Sequence, residues 1–239
     1  MGLRNSKHEE NKIEKVEYIK FNFKNNNNFK KIIKFDPNYI FFLAWNGIPN
    51  FTKYKSKLNY YSSINFIKNT QKLKSLKKIV YFGSCWESLK SKVNKNNIHF
   101  VNAKLKLKNY FDNFFLNSKV KYVWLRLFYV YGPYQRKNSL IPYLIKRIKQ
   151  NKQIILNEPE IKNDYVHVFD LVKLLKILIS INSTNKLINF KTNILTSSKT
   201  IRDETLKLIK KKKNQRKKFN IQAKTRLFYT HIKKKKIYV

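Results

Sequence analysis

The chain has 239 residues, 42% of them hydrophobic and 15% aromatic, enough to bury one large domain or a core with a smaller lobe. Against 13 Asp and Glu stand 53 Lys and Arg, a formal charge of +40 that repels itself and attracts polyanions. A single cysteine, Cys85, excludes an intrachain disulfide. No apolar run reaches the ~20 residues of a membrane span, and no secretory leader opens the chain, so a reducing, cytoplasmic setting is expected. The first residues, Met1-Gly2-Leu3-Arg4-Asn5-Ser6, fit the loose myristoylation pattern, which so short a match carries only weakly. The charge has two readings. It can mark a nucleic-acid or anionic-membrane surface, or it can reflect AT-rich codons, which favour Lys, Asn, Ile, Phe and Tyr. Lys and Asn are spread along the chain, which favours codon bias.

In chain order, Val16–Phe23 alternates apolar and polar residues like a half-buried strand, and Phe29–Phe35 reads as a short helix. Tyr39–Ala44 is a continuous apolar run suited to a strand covered on both faces. Leu58–Leu73 is helical, Lys77–Gly83 is a buried strand, Ala103–Leu116 is helical and Val120–Leu127 is another strand. After the turn at Tyr131-Gly132-Pro133 come helices at Leu140–Gln150 and Leu171–Ile181, a strand at Leu187–Phe190 and a helix at Ile201–Lys213. Pro142 stands in the first turn of its helix, where a missing N–H costs little. Alternating strands and helices predict βαβ units and a parallel sheet.

Five short motifs follow one another: Leu43-Ala44-Trp45, Gly83-Ser84-Cys85-Trp86-Glu87, Phe100-Val101-Asn102-Ala103-Lys104, Leu125 to Pro133, and Asp164 to Asp170. In this order the chain resembles the extended short-chain dehydrogenase/reductases, the NAD-dependent epimerase/dehydratase family. The stretch from Leu43 to Asn50 and the Gly83–Glu87 segment are similar to the subgroup that reduces 4-keto-6-deoxy nucleotide sugars. Each motif alone is weak, and their order carries the resemblance. It implies an α/β fold, a Rossmann-like parallel sheet with a smaller substrate-binding lobe. The expected division is a partial NAD(P)-binding domain over 1–135 and a substrate lobe with a basic tail over 136–239.

The same resemblance implies hydride transfer at a sugar carbon with bound NAD or NADP. In that scheme a Tyr moves the hydroxyl proton, a Lys four residues on holds the nicotinamide ribose, and a Ser or Thr at a strand end holds the carbonyl oxygen. Ser84 stands at the Ser/Thr position and Lys104 at the Lys position. The Tyr position is Phe100, which has the ring and no ionisable hydroxyl. Its neighbour His99 points roughly 100° away on a helix and is no substitute. The resemblance assigns cofactor contacts to Leu43, Ala44, Trp45, Lys104, Phe128, Tyr129 and Val130. It assigns substrate contacts to Asn163, where the family has Arg, and to Tyr165. His167 reads as a packed histidine, and Phe169-Asp170 replaces the family's Asp-Asp. Phe100 follows Ser84 by 16 positions, a shorter interval than the family's.

Only 4 glycines occur, none in the G-x-x-G-x-x-G spacing that brings backbone up to a pyrophosphate, so the sheet is expected to lack its first βαβ element. The first functional reading is therefore a nucleotide-sugar epimerase, dehydratase or reductase relative with low or no turnover as it stands. It takes a nucleotide-sugar substrate, with a homodimer or a glycine-rich half on another chain as further partners. The second is a catalytically dead scaffold that binds nucleic acid or anionic surfaces through its Lys-rich face; no nucleic-acid module is recognisable. A decayed gene copy without function is the third. No metal site is expected.

Overall fold

The structure, a computed structural model, describes residues 2–3, 16–21, 29–89, 92–181 and 186–213. It divides into two compact units, one running to Leu125 and taking in Leu187, the other starting at Arg126 and resuming at Ile188.

The first unit is built on parallel strands. β1 (Gly2–Leu3) pairs in parallel with β2 (Ile19–Lys20), the described part of the expected 16–23 strand; 22–23 lie outside the described residues. α1 spans Phe29–Phe35 and leads to β3 (Tyr39–Phe42). α2 (Lys53–Thr70) leads to β4 (Lys78–Ser84), and α3 (Ile98–Phe114) to β5 (Lys121–Leu127). β3 and β4 run parallel with Tyr39 opposite Lys78. With β8 (Lys186–Phe190) they form a sheet in the order β3-β4-β5-β8. The inner strands β4 and β5 are buried through their centres, as a sheet covered on both faces requires.

One face of that sheet is nearly all aromatic. Tyr81 stacks between Phe42 (5.2 Å) and Trp124 (4.5 Å), and Phe66 and Ile67 of α2 and Leu107 and Phe111 of α3 close over them. Ile79, Ile67, Leu107, Phe111 and Trp124 are fully enclosed. Each such side chain contributes about 1.5–3 kcal/mol of burial, so this face anchors the unit.

Two helices of this unit start earlier than hydrophobic spacing suggests. α2 begins at Lys53 because the Thr52 hydroxyl accepts from Lys55 N–H and caps it. α3 begins at Ile98, not Ala103. Asn97 fixes the preceding turn, accepting from Asn94 N–H at 2.9 Å and donating to the Lys92 carbonyl at 2.8 Å. Phe100 and Lys104 therefore share one helix, one turn apart.

In the second unit β6 (Tyr129–Tyr131) pairs in parallel with β7 (Lys162–His167), and β7 pairs antiparallel with β9 (Leu195–Ser197). α4 (Leu140–Lys149) and α6 (Ser198–Lys213) pack together, burying Ile141, Leu144, Ile148, Ile201 and Ile209 with Tyr131. α5 (Val168–Ser180) follows β7 directly and begins three residues before the expected Leu171, because the His167 side chain caps it by accepting from Phe169 N–H. No helix among the described residues is long and apolar enough to cross a membrane.

Candidate functional site

Ser84 ends β4 and opens a single 3-10 turn, Cys85–Glu87. Its hydroxyl accepts from Trp86 N–H at 3.3 Å, and the Glu87 carboxylate accepts from Ser84 N–H at 2.6 Å, a reciprocal cap. The other Glu87 oxygen accepts from Trp124 Nε1–H at 2.8 Å. Glu87 is thus a buried carboxylate that ties the strand end to the core. Gly83 is required here for space: a Cβ would run into the Trp124 indole and the Glu87 carboxylate. Gly83→Ala accordingly lowers the denaturant midpoint, with a loss of about 1–3 kcal/mol typical of overpacking.

Lys104 points into the same region and is enclosed, at 4% relative exposure. Its ammonium donates to the Phe82 carbonyl at 2.7 Å and to Tyr81 Oη at 3.4 Å. It lies over the ring of Trp45 at 4.1 Å, of Tyr81 at 4.6 Å and of Phe100 at 5.8 Å, an aromatic cage for a cation. Burial pushes the Lys104 amine down to about 7, opposed by the Glu87 charge. Burial also raises the Tyr81 phenol far above its ordinary value, partly offset by its bond to Ser63. Tyr81, 1% exposed and stacked between Phe42 and Trp124, belongs to the core and does not replace Phe100 at a substrate-facing position.

Phe100 is itself enclosed by Phe51 (4.9 Å), Trp45 (5.3 Å) and Trp86 (5.9 Å). Trp45 is held on its segment by Asn59 of α2, whose amide accepts from Asn46 N–H at 2.6 Å and donates to the Asn46 carbonyl at 2.9 Å. Of the residues that sequence groups here, Trp45, Phe100 and Lys104 meet directly. Ser84 joins them through Trp86, whose N–H it receives and whose ring meets Phe100, whereas Leu43 is exposed at 64%. His99 is exposed on α3, as its helical phase requires.

The second unit holds a cleft of about 290 Å³ whose walls include Asn138, Tyr143, Asn157, Glu158 and Asn163, with Leu140 among its apolar residues. Among the described residues no Lys or Arg lines it, and Glu158 is its one ionisable acid. Such walls suit a ligand with many hydrogen-bonding groups. Asn163 sits on β7, two residues before Tyr165, whose ring meets Tyr129 of β6 at 5.6 Å. Tyr129 and Val130 stand opposite Tyr165 and Val166, so Phe128–Val130 is a strand entry beside β7. Tyr165 packs against the α4–α6 core.

His167 and Asp164 are structural in this unit. His167 lies between the rings of Tyr131 (5.0 Å) and Phe169 (4.8 Å), and burial pushes its imidazole down to about 4, so it is neutral at pH 7. Asp164, 3% exposed, receives Thr192 N–H at 2.8 Å, the Thr192 hydroxyl at 2.8 Å and Asn193 N–H at 2.7 Å.

Sequence reading missed Glu87, Tyr81, Phe51 and most of the cleft. The Ser84-x-x-Glu87 spacing was a readable capping-box signal. The cage was not readable, because its rings come from separate elements. No group of His, Cys, Asp or Glu among the described residues is arranged to hold a metal.

A dinucleotide fits these residues poorly. At each of Gly47, Gly83 and Gly132 the space beside the backbone is filled by the chain's own side chains, from Lys55, Trp124 with Glu87, and Val168 respectively. None of the three offers bare backbone to a phosphate, and Lys104, which the resemblance assigns to the nicotinamide ribose, is already engaged by the Phe82 carbonyl and the Trp45 ring.

The chain matches the NAD dependent epimerase/dehydratase family over residues 2–189. No curated protein sequence matches it. Among solved structures it is similar to a UDP-N-acetylglucosamine 4-epimerase from Methanobrevibacter ruminantium in complex with UDP-N-acetylmuramic acid, at 20% identity and TM-score 0.68, covering 81% of this chain and 66% of that one. A dTDP-glucose 4,6-dehydratase from Bacillus anthracis in complex with NAD aligns at 16% identity and TM-score 0.68, covering 81% and 64%. A UDP-glucose 4-epimerase from Thermus thermophilus in complex with NAD aligns at 13% and TM-score 0.68, covering 86% and 75%. The chain thus spans about two thirds of the length of the first of these structures. The match over residues 2–189, on an α/β fold with a parallel sheet, places the chain in the NAD-dependent epimerase/dehydratase family.

Proposed function

We propose that this chain binds a nucleotide-linked sugar in the cleft beside Asn163 and does not, as it stands, perform the family's proton transfer. The observation that carries the reading is the cleft itself, whose amide-rich wall includes Asn163, the residue that the family resemblance assigns to the substrate. The structural neighbours are UDP- and dTDP-sugar enzymes, which supports the same ligand class. Ser84, Phe100 and Lys104 stand at the family's catalytic positions, but with a phenyl ring at 100 no ionisable hydroxyl reaches a substrate oxygen there. The family match favours this reading over a nucleic-acid scaffold.

The test is titration calorimetry with UDP-glucose, UDP-N-acetylglucosamine and dTDP-glucose. At least one binds saturably, and Asn163→Ala weakens it about 5- to 10-fold, the size of one lost hydrogen bond. Binding of none of the three, or equal affinity in Asn163→Ala, removes the cleft as the site.

A further inference from the structure

Resting on that reading, we propose that the chain holds its nucleotide sugar without a dinucleotide, because its own side chains close the place where the family's lysine would grip the nicotinamide ribose. Three observations in the first unit converge on this.

First, the lysine is spent. Lys104 Nζ has an acceptor at hydrogen-bond distance in the Phe82 carbonyl, a second in Tyr81 Oη, and aromatic faces of Trp45, Tyr81 and Phe100 around it. An ammonium has three donors. Turning it toward a ribose breaks the bond to Phe82 and empties the cage. Second, the ring at position 100 is roofed. Phe51 and Trp86 contact each other at 5.4 Å and both contact Phe100, so this face is packed core. Third, the strand-end serine is turned inward to cap. Its oxygen receives Trp86 N–H while Glu87 holds its own N–H, and Glu87 is fixed in turn by Trp124.

The groups that face Lys104 are the Tyr81 phenol from β4, the Glu87 carboxylate from the 3-10 turn, and the rings of Trp45 and Phe100. They form a self-contained set: one cation, one carboxylate at longer range and three aromatic faces. What serves as a ligand-facing constellation in a working enzyme is here an internal one.

Two measurements on the full chain test this. In the first, lysines are reductively methylated with formaldehyde and a borane under native conditions, with and without 1 mM-scale NADH, and located by mass spectrometry. Lys104 stays at least 10-fold less modified than exposed Lys57 or Lys68 in both samples. Modification of Lys104 in the free chain with protection by NADH overturns the proposal. In the second, UDP-sugar affinity is measured with and without NADH. It is unchanged within 2-fold, and Phe100→Tyr gains no NADPH oxidation with a 4-keto nucleotide sugar. Affinity that rises 10-fold or more with NADH overturns the proposal and leaves the cleft assignment intact. Failure of every UDP-sugar to bind, with Lys104 still protected, overturns the proposal through the cleft reading while the closed cage stands.

Discussion

Replacing Lys104 with methionine removes a rise in stability that the wild-type chain shows between about pH 7 and 10.5. Burial holds the folded-state amine at about 7, whereas an exposed lysine titrates near 10.5. Between those values the unfolded chain binds a proton that the folded chain does not, so stability climbs with pH and is at its lowest below pH 7. Methionine keeps the aliphatic stem and cannot be protonated. The difference in unfolding free energy between wild type and Lys104→Met shifts toward wild type by on the order of 4 kcal/mol across the window, at 1.36 kcal/mol per pH unit. Urea unfolding of both chains at several pH values reads this difference, in which the titration of the other lysines cancels. A difference that does not change with pH means that Lys104 is solvated, and the cage is then misread.

Asp164→Ala costs the second unit about 2–4 kcal/mol. The carboxylate receives three donors from Thr192 and Asn193, and removing it strands them in a buried site. Asp164→Asn retains one acceptor oxygen and loses less. The effect reaches the cleft, since Asp164 adjoins Asn163 on β7 and pins the connection that enters β9. Both variants are compared by denaturant midpoint and by UDP-sugar affinity. A change under 0.5 kcal/mol contradicts the anchoring role.

Much of the fold was legible because its strands are written as apolar runs. Lys77–Gly83 and Tyr39–Ala44 read as apolar strand runs, and the structure places β4 and β3 there, parallel and adjacent; β4 is covered, whereas β3 is an edge strand with Tyr39 exposed, not the fully covered strand its apolar run suggests. Helix ends were less legible. Capping by Thr52 and His167 and the Asn97 turn extend α2, α5 and α3 beyond the hydrophobic spacing. Motif order led to Ser84, Phe100 and Lys104, and Trp45, Phe100 and Lys104 do meet in space. Their exposure was illegible. Whether a lysine faces a ligand or its own aromatic core depends on Trp45, Tyr81 and Phe100, which arrive from the segment after β3, from β4 and from α3. The cleft was illegible for the same reason: Asn138, Asn157 and Asn163 are ordinary polar residues until chain folding brings them to one wall.

Calorimetric titration of the purified chain with UDP- and dTDP-sugars in the strict absence of any nicotinamide cofactor bears most directly on this picture. Saturable one-site binding, retained in Lys104→Met and weakened in Asn163→Ala, is the expected result. Heat that develops only once NAD or NADH is added, or binding that disappears with Lys104 and ignores Asn163, contradicts it.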